Sequence, residues 1–269
     1  MSVDLRRSYW ALALVGLSMA AAVVVWWLTL PPKTADGPVA ELPSQCREVD
    51  FEAVAYVVCE VDTASEQVDL FLRDIDGKPF GSLPAFNAAI AKQDRQILMA
   101  MNAGMYHEDL TPVGLYVSDG REQSPLNLAD GEGNFFLKPN GVFFIGNDGS
   151  AGVVETTAFA AAKPEVRLAT QSGPMLVIDG RIHPRFEQNG TSRFIRNGVG
   201  VRDDAHTVVL AISRSEVSLG SFARLFRDAL GCRDALFFDG AISALSNSDT
   251  MVIGGEFPAG PIIAVSAKP

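Results

Sequence analysis

The sequence predicts an α+β protein. It would be a single β-rich domain with a mixed, largely antiparallel sheet and a few helices, preceded by one N-terminal transmembrane helix. Two observations carry this reading. Short apolar or alternating runs bounded by Gly, Pro, Asn and Asp far outnumber segments of helical period. The chain also begins with a long uncharged stretch, set apart from the rest by prolines.

That stretch, Tyr9 to Leu30, has 22 residues without a charge. At about 1.5 Å rise per residue it crosses the roughly 30 Å hydrocarbon core of a bilayer. Arg6 and Arg7 precede it, so residues 1–8 stay in the cytoplasm and the remainder is exported. Tyr9 and Trp10 at one end, and Trp26 and Trp27 at the other, suit the two interfaces. Cleaved signals carry an apolar core of about 7–15 residues, so 9–30 reads as a retained anchor. Ala20–Ala22 keep cleavage open as the alternative. The expected location is the inner membrane with the domain in the periplasm, or a periplasmic or secreted protein if processed. Residues 31–45 hold four prolines and no hydrophobic period, and read as a linker.

Residues 46–269 read as the folded domain. Val54–Val61 and Val68–Arg73 are expected to pair as a hairpin. Leu98–Met101 reads as a buried strand, and Val113–Val117 and Met175–Ile178 each lead into an Asp-Gly turn. Phe135–Leu137 and Val142–Ile145 bracket a Lys-Pro-Asn-Gly turn, and Thr207–Ile212, Ala235–Phe238 and Ile262–Val265 complete the strands. A helix over Ser82–Gln93 has Ser82 as N-cap and Leu83, Phe86 and Ile90 on one face. A second, over Ser221–Leu230, places Gly231 as its C-terminal cap.

The chain has 269 residues, is 48% hydrophobic, and carries a net charge of −10. Without residues 1–30, 20 basic and 31 acidic residues remain, a net of −11. Such an acidic surface excludes a general nucleic-acid binder, which needs a basic face to release counterions. Of three cysteines, Cys46 and Cys59 flank a short apolar segment and could form a disulfide in an oxidising compartment, or remain buried thiols. No C-x-x-C, H-E-x-x-H, phosphate-loop or G-x-S-x-G motif occurs, and no metal site or cofactor is expected.

Four segments place polar residues and glycine at strand ends, where sites usually sit. They are Met101–His107, Thr170–Met175, Ser192–Gly200 and Phe237–Ser243. In the order NAGM-Y-H, QSGPMLVIDG, RNGVGV and FFDG-x-I-S-AL, together with GNFFLKPNGVFFI, the chain from about Cys46 to Val265 resembles the phosphodiester glycosidase family. The resemblance implies hydrolysis of the bond between a sugar's anomeric carbon and a phosphodiester. It carries Asn102 and Gly104 onto the family's N-x-G motif, Ser172-Gly173-Pro174 onto S-G-P, and Arg196 with Gly200 onto R-x-x-x-G. Asp239, Gly240 and Ser243 match the last motif. Ala241, Ile242, Ala244 and Leu245 depart from its glycine and serine run.

The residue types suit the chemistry. Asp239 can stabilise, attack or activate water at a carbon developing oxocarbenium charge. Arg196, supported by Arg193, can clamp phosphate in a forked geometry. Asn102, Asn197, Ser172, Ser243 and the backbone near Gly104, Gly173 and Gly240 can bind sugar hydroxyls or phosphate oxygens. His107 is an acid–base candidate or a structural histidine. Asp119 and Asp179 read as turn residues, Asp203-Asp204 as a turn before the next strand, and Glu108 as a minor second carboxylate. The expected partners are a sugar phosphate or glycan, and the membrane. The alternatives are a non-catalytic envelope protein binding anionic polysaccharide and, least supported, a metal-dependent phosphodiesterase.

Overall fold

A computed structural model describes residues 40–268 except 94, 189 and 241. The expected anchor at 9–30 lies outside the described residues. Among those described, no helix is long and apolar enough to cross a membrane. The end of the proline-rich stretch is docked onto the domain: Pro43 is buried, Leu42 packs on the core, and Asn247 Nδ2 donates to Glu41 O at 2.9 Å.

Three sheets surround one core. The first orders β1 (Cys46–Phe51), β2 (Val54–Asp62), β13 (Thr207–Ser213), β12 (Asn197–Val201), β14 (Asp234–Asp239), β10 (Met175–Ile178) and β11 (Arg181–Ile182). The second runs β16 (Met251–Ile253), β15 (Leu245–Asn247), β4 (Ile97–Asn102), β17 (Ile262–Ala267), β3 (Glu66–Phe71). The third runs β6 (Arg121–Ser124), β5 (Tyr116–Ser118), β9 (Val166–Ser172), β7 (Gly141–Gly146), β8 (Ala151–Glu155). The β-rich class stands, but the expected mixture of directions does not. Every ladder among the described residues is antiparallel. Parallel pairs need long crossovers, usually helical, and the helices here serve as covers instead.

Each sheet buries its inner face in the common core and carries a helix on its outer face. Val57, Cys59 and Val61 of β2 enter the common core, while Tyr56 and Val58 face α3 (Leu219–Arg224) and the π turn Leu225–Ala229 that continues it. Helix α1 (Leu83–Ile90) covers the second sheet through Leu83, Phe86 and Ile90. Helix α2 (Thr156–Ala162) covers the third through Phe159. Burial on both faces is why several strands read as unbroken apolar runs.

Particular elements depart from the sequence reading. β2 and β3 do not pair, because β1 and β13 already occupy both edges of β2; the turn at 62–65 passes the chain to another sheet. Asn134–Phe136 is a 3₁₀ turn rather than a strand. The second helix starts at Leu219, capped by Ser218, whose Oγ accepts from Ser221 N–H at 3.1 Å. Both Asp-Gly pairs form tight turns with positive φ at each position: 50° and 69° at Asp119-Gly120, 52° and 75° at Asp179-Gly180. Cys46 and Cys59 face each other across β1 and β2 and form a disulfide. Cys232 is a buried free thiol whose pKa burial pushes up to about 12.

The β1–β2 turn uses residues poorly suited to it. Glu52 and Ala53 sit at φ 49° and 59°, where such turns favour Asn-Gly. Glu52 is held there by Arg224, with Nε to Oε1 at 2.6 Å and Nη2 to Oε2 at 2.7 Å, and by Ser221 Oγ at 3.1 Å. The methyl group of Ala53 makes no hydrogen bond to offset the same penalty. Ala53→Gly should therefore stabilise the domain by about 0.5–1 kcal/mol, relief of left-handed strain exceeding the added chain entropy. Equilibrium urea unfolding would register a higher midpoint at unchanged slope.

Candidate active site

Four strand ends converge at one end of the first sheet. Asn102 ends β4, Ser172 ends β9, Asn197 begins β12 and Asp239 ends β14. The four segments that stood out in the sequence thus meet, although nearly 140 residues separate the first from the last. Asn197 opposes Asp239 in register, but Gly198 opposes Phe237, so Phe238 is the extra residue of a bulge. A bulge next to a site re-aims the side chain that follows, and here that is Asp239.

An amide pair ties these ends together. Asn102 Nδ2 donates to Asn197 Oδ1 at 3.3 Å, and Asn197 Nδ2 donates to Asn102 Oδ1 at 3.1 Å and Asn102 O at 2.7 Å. The remaining acceptor capacity holds the loop after β14. Ala244 N–H donates to Asn102 Oδ1 at 2.8 Å, and Asp239 N–H to Asn197 Oδ1 at 3.3 Å. Ser243 Oγ, with one proton to give, lies 2.8 Å from Asp239 O, 2.9 Å from Ile195 O and 3.2 Å from Asn197 Oδ1. Ser172 Oγ donates to Phe238 O at 2.9 Å. Asn102, Asn197, Ser172 and Ser243 are all buried. They were expected to touch substrate; the structure instead spends their hydrogen bonds on each other and on the backbone that carries Asp239. Gly104 and Gly173 are likewise packing residues. A Cβ at Gly104 would meet Thr170 Oγ1 at 2.4 Å, and one at Gly173 would meet Phe135 O at 2.7 Å.

Arg196 is the exceptional group. Its side chain is fully buried, 0% exposed, between the rings of Phe237 at 5.1 Å and Phe194 at 5.4 Å. Nε donates to Val217 O at 2.8 Å and Nη2 to Ser192 O at 3.0 Å. Nη1 has no hydrogen-bond partner among the described residues. It lies against Gly240, where a Cβ would come within 3.1 Å. Burial lowers the Arg196 pKa to about 10, against the opposing pull of the Asp239 charge. The same carboxylate acts on Tyr106, whose pKa burial and that charge together raise to about 12. Asp239 itself is half-buried. The arrangement places a buried arginine N–H pair directly against a backbone glycine, within the field of a carboxylate.

Two expected members stand apart. His107 is exposed in the turn closed by its backbone bonds to Leu110 and Thr111. No hydrogen bond of its ring to the cluster occurs among the described residues. Arg193 is exposed, and its charge is felt at Tyr56 on the helix-covered face. Residue type alone suggested both. Tyr106 was missed as a site neighbour; its ring packs where a Cβ on Gly260 would sit, and its hydroxyl donates to Pro258 O at 2.5 Å. Gln171 was also missed: its side chain bonds Leu115 N, Asn127 N and Asn127 O, pinning the loop after β6 to the start of β5. Only its burial marks it.

The site is thus a buried arginine and a half-buried carboxylate at converging strand ends of an antiparallel three-sheet domain. The chain belongs to the phosphodiester glycosidase family, whose model matches residues 95–261 and so contains every one of these strand ends. It is 38% identical over 208 residues to YigE of Escherichia coli strain K12, an uncharacterized protein, covering 77% of this chain and 80% of YigE. Its fold is similar to the catalytic domain of zebrafish N-acetylglucosamine-1-phosphodiester alpha-N-acetylglucosaminidase, solved auto-inhibited by its pro-peptide. The TM-score is 0.60 at 15% identity over 88% of this chain and 86% of that one. A hypothetical protein from Synechocystis matches with TM-score 0.55 at 14% identity, over 83% of this chain and 61% of that one.

Two outcomes test this geometry. Asn197→Ala removes the partner of Asn102 Nδ2 and an acceptor of Asp239 N–H in a buried site, so it should cost about 2–3 kcal/mol in chemical denaturation. The second concerns His183, buried at the start of the loop that ends in Arg196. Its Nδ1 accepts from Arg185 N–H at 3.2 Å and its ring stacks on Phe186 at 4.6 Å. Burial lowers its pKa from 6.5; the Lys138 backbone opposes this and the Arg185 charge adds to it. The unfolded chain therefore takes up the proton first, and this contribution to stability, complete above about pH 6.5, is lost as pH falls below it. Unfolding free energies between pH 7.5 and 5 should show that decline, and His183→Asn, which retains an acceptor, should flatten it.

Proposed function

We propose that the protein hydrolyses the bond between a sugar's anomeric carbon and a phosphodiester, acting on a glycan, exopolysaccharide or lipid-linked sugar phosphate of the cell envelope. The observation that carries this reading is the Nη1 group of Arg196, buried against Gly240 without a partner among the described residues and within the field of the Asp239 carboxylate. A buried cation lacking one hydrogen bond is costly, and an anionic ligand would repay part of that cost.

Cleaving a glycosyl phosphodiester leaves positive charge on the anomeric carbon and negative charge on the departing phosphate. Asp239 faces the first and Arg196 receives the second. The oxygen of water bonds to the anomeric carbon, giving a proton to the Asp239 carboxylate, as the bond from that carbon to the bridging oxygen breaks; that oxygen leaves on phosphorus, yielding free sugar and a phosphomonoester. Phosphate leaves as a stable anion, so protonation of the leaving group contributes little. The nucleophile or base is the larger need, which suits a site with one prominent carboxylate. Gly240 leaves only backbone between Nη1 and the site. The exported surface is acidic, so attraction of the substrate is local to this arginine. Residues 9–30 would anchor the protein in the inner membrane with the domain in the periplasm.

The test is release of free sugar from a panel of sugar 1-phosphodiesters by the purified domain. Asp239→Asn should reduce turnover at least about 10²-fold. Unchanged turnover in that variant would remove Asp239 from the chemistry. Binding without turnover across the panel would favour a non-catalytic polysaccharide-binding protein.

A further inference from the structure

For a phosphate oxygen to reach Arg196 Nη1, a group that covers it has to move. Arg196 is 0% exposed, and Nη1 is one of its buried atoms. The groups that enclose the guanidinium can be named. Val217 O takes Nε at 2.8 Å, Ser192 O takes Nη2 at 3.0 Å, and Nη1 lies against Gly240. The ring centroids of Phe237 and Phe194 lie 5.1 Å and 5.4 Å from its central carbon.

Three of these covers are fixed. Phe237 belongs to β14 and is fully buried, so moving it would open the core. The backbone on either side of Gly240 is tied down, by Asp239 N–H to Asn197 Oδ1 and by Ala244 N–H to Asn102 Oδ1. Val217 and Phe194 hold each other's backbones, Phe194 N–H to Val217 O at 3.3 Å and Val217 N–H to Phe194 O at 2.8 Å. Ser192 serves Nη2 rather than Nη1. The Phe194 side chain is different. Its ring makes no hydrogen bond, the residue is 46% exposed, and its Cβ lies 3.4 Å from where a Cβ on Gly240 would sit, beside Nη1. With the backbone pinned, such a ring is free to turn about its Cα–Cβ bond into solvent, as exposed side chains do within nanoseconds.

We propose that the Phe194 side chain is a gate over Arg196, which covers the guanidinium at rest and swings out as an anion takes its place at Nη1. The identity of that anion, a phosphate group, rests on the phosphodiester reading. The exchange selects by charge. Turning the ring out gives up the attraction between the cation and the π face, and a negatively charged oxygen at Nη1 replaces it with a stronger, charge-assisted hydrogen bond. A neutral hydroxyl offers too little to hold the ring away. Phe194 is therefore a specificity-determining residue that touches no reacting atom. The gate also lowers affinity, because a ligand binds only the fraction of molecules in which the ring is out. With the ring in for about nine-tenths of the time, its removal tightens phosphate binding about tenfold. A ring that instead stacked on the ligand would give the opposite sign.

Two measurements on the full chain test this. Phenylglyoxal adds to accessible guanidinium groups, and peptide mass spectrometry reads its addition at Arg196. That addition should be about tenfold faster in Phe194→Ala than in the wild type, while Phe194→Tyr, which keeps the cover, should react as slowly as the wild type. Equal rates in the wild type and Phe194→Ala would overturn the gate, as would the fast rate in Phe194→Tyr. Calorimetry with inorganic phosphate gives the second readout. Phe194→Ala should bind phosphate about tenfold more tightly than the wild type, and measurable binding that is unchanged or weaker in the variant would overturn the gate. The gate and the phosphodiester reading fail separately. If Arg196 turns reactive in Phe194→Ala but phosphate neither binds that variant nor protects it from phenylglyoxal, the gate stands and the phosphodiester reading fails.

Discussion

The reciprocal amide bond between Asn102 and Asn197 is the constraint on which the rest of the site depends. It joins the end of β4 in one sheet to the start of β12 in another, and its spare acceptors take Ala244 N–H and Asp239 N–H. A single buried pair thus sets the separation of two sheets and the path of the loop that carries Asp239. Asparagine suits this task because one side chain both donates and accepts, so two of them satisfy each other while still receiving backbone donors. Satisfied in this way, a buried polar network specifies one arrangement rather than several.

Arg196 extends the same logic to a charge. Its guanidinium is stacked between two aromatic rings, and carbonyls of Val217 and Ser192 take Nε and Nη2. Arginine tolerates this better than lysine would, because its planar, weakly hydrated head stacks on rings and keeps its proton. Among the described residues, it is Nη1 that has no partner. Incomplete satisfaction of a buried polar group is unusual in a core and common where a ligand completes it.

Much of this was legible in the chain. The apolar run of β2, the Asp-Gly turns, the Ser82 cap and the apolar face of α1 are local consequences of residue order, and each formed as read. Other elements were not legible, for identifiable reasons. α2 is a seven-residue helix rich in alanine, too short to show a period, and is started by the Glu155 carboxylate accepting from Thr157 and Ala158 N–H groups. β12, with two glycines in five residues, lacks strand composition, yet it lies at the centre of the largest sheet. The hairpin expected between β2 and β3 failed because pairing depends on which edges remain open, and that is decided by strands some 150 residues away.

The site divides along the same line. Residue order alone marked which segments matter, because Asn, Ser, Arg and Asp at the ends of apolar strands are chemically conspicuous wherever the strands lie. It also determined the family, since the motif order survives without knowledge of contacts. Which contacts each residue makes came from the packing of distant strands. Ser172 and Ser243 became supports and Arg193 and His107 stayed at the surface. Arg196 became a buried cation with one group unpartnered among the described residues. The physical reason is burial. Whether a polar side chain serves the fold or a ligand depends on which of its donors and acceptors are already spent, and in this chain those partners come from strands far apart in sequence.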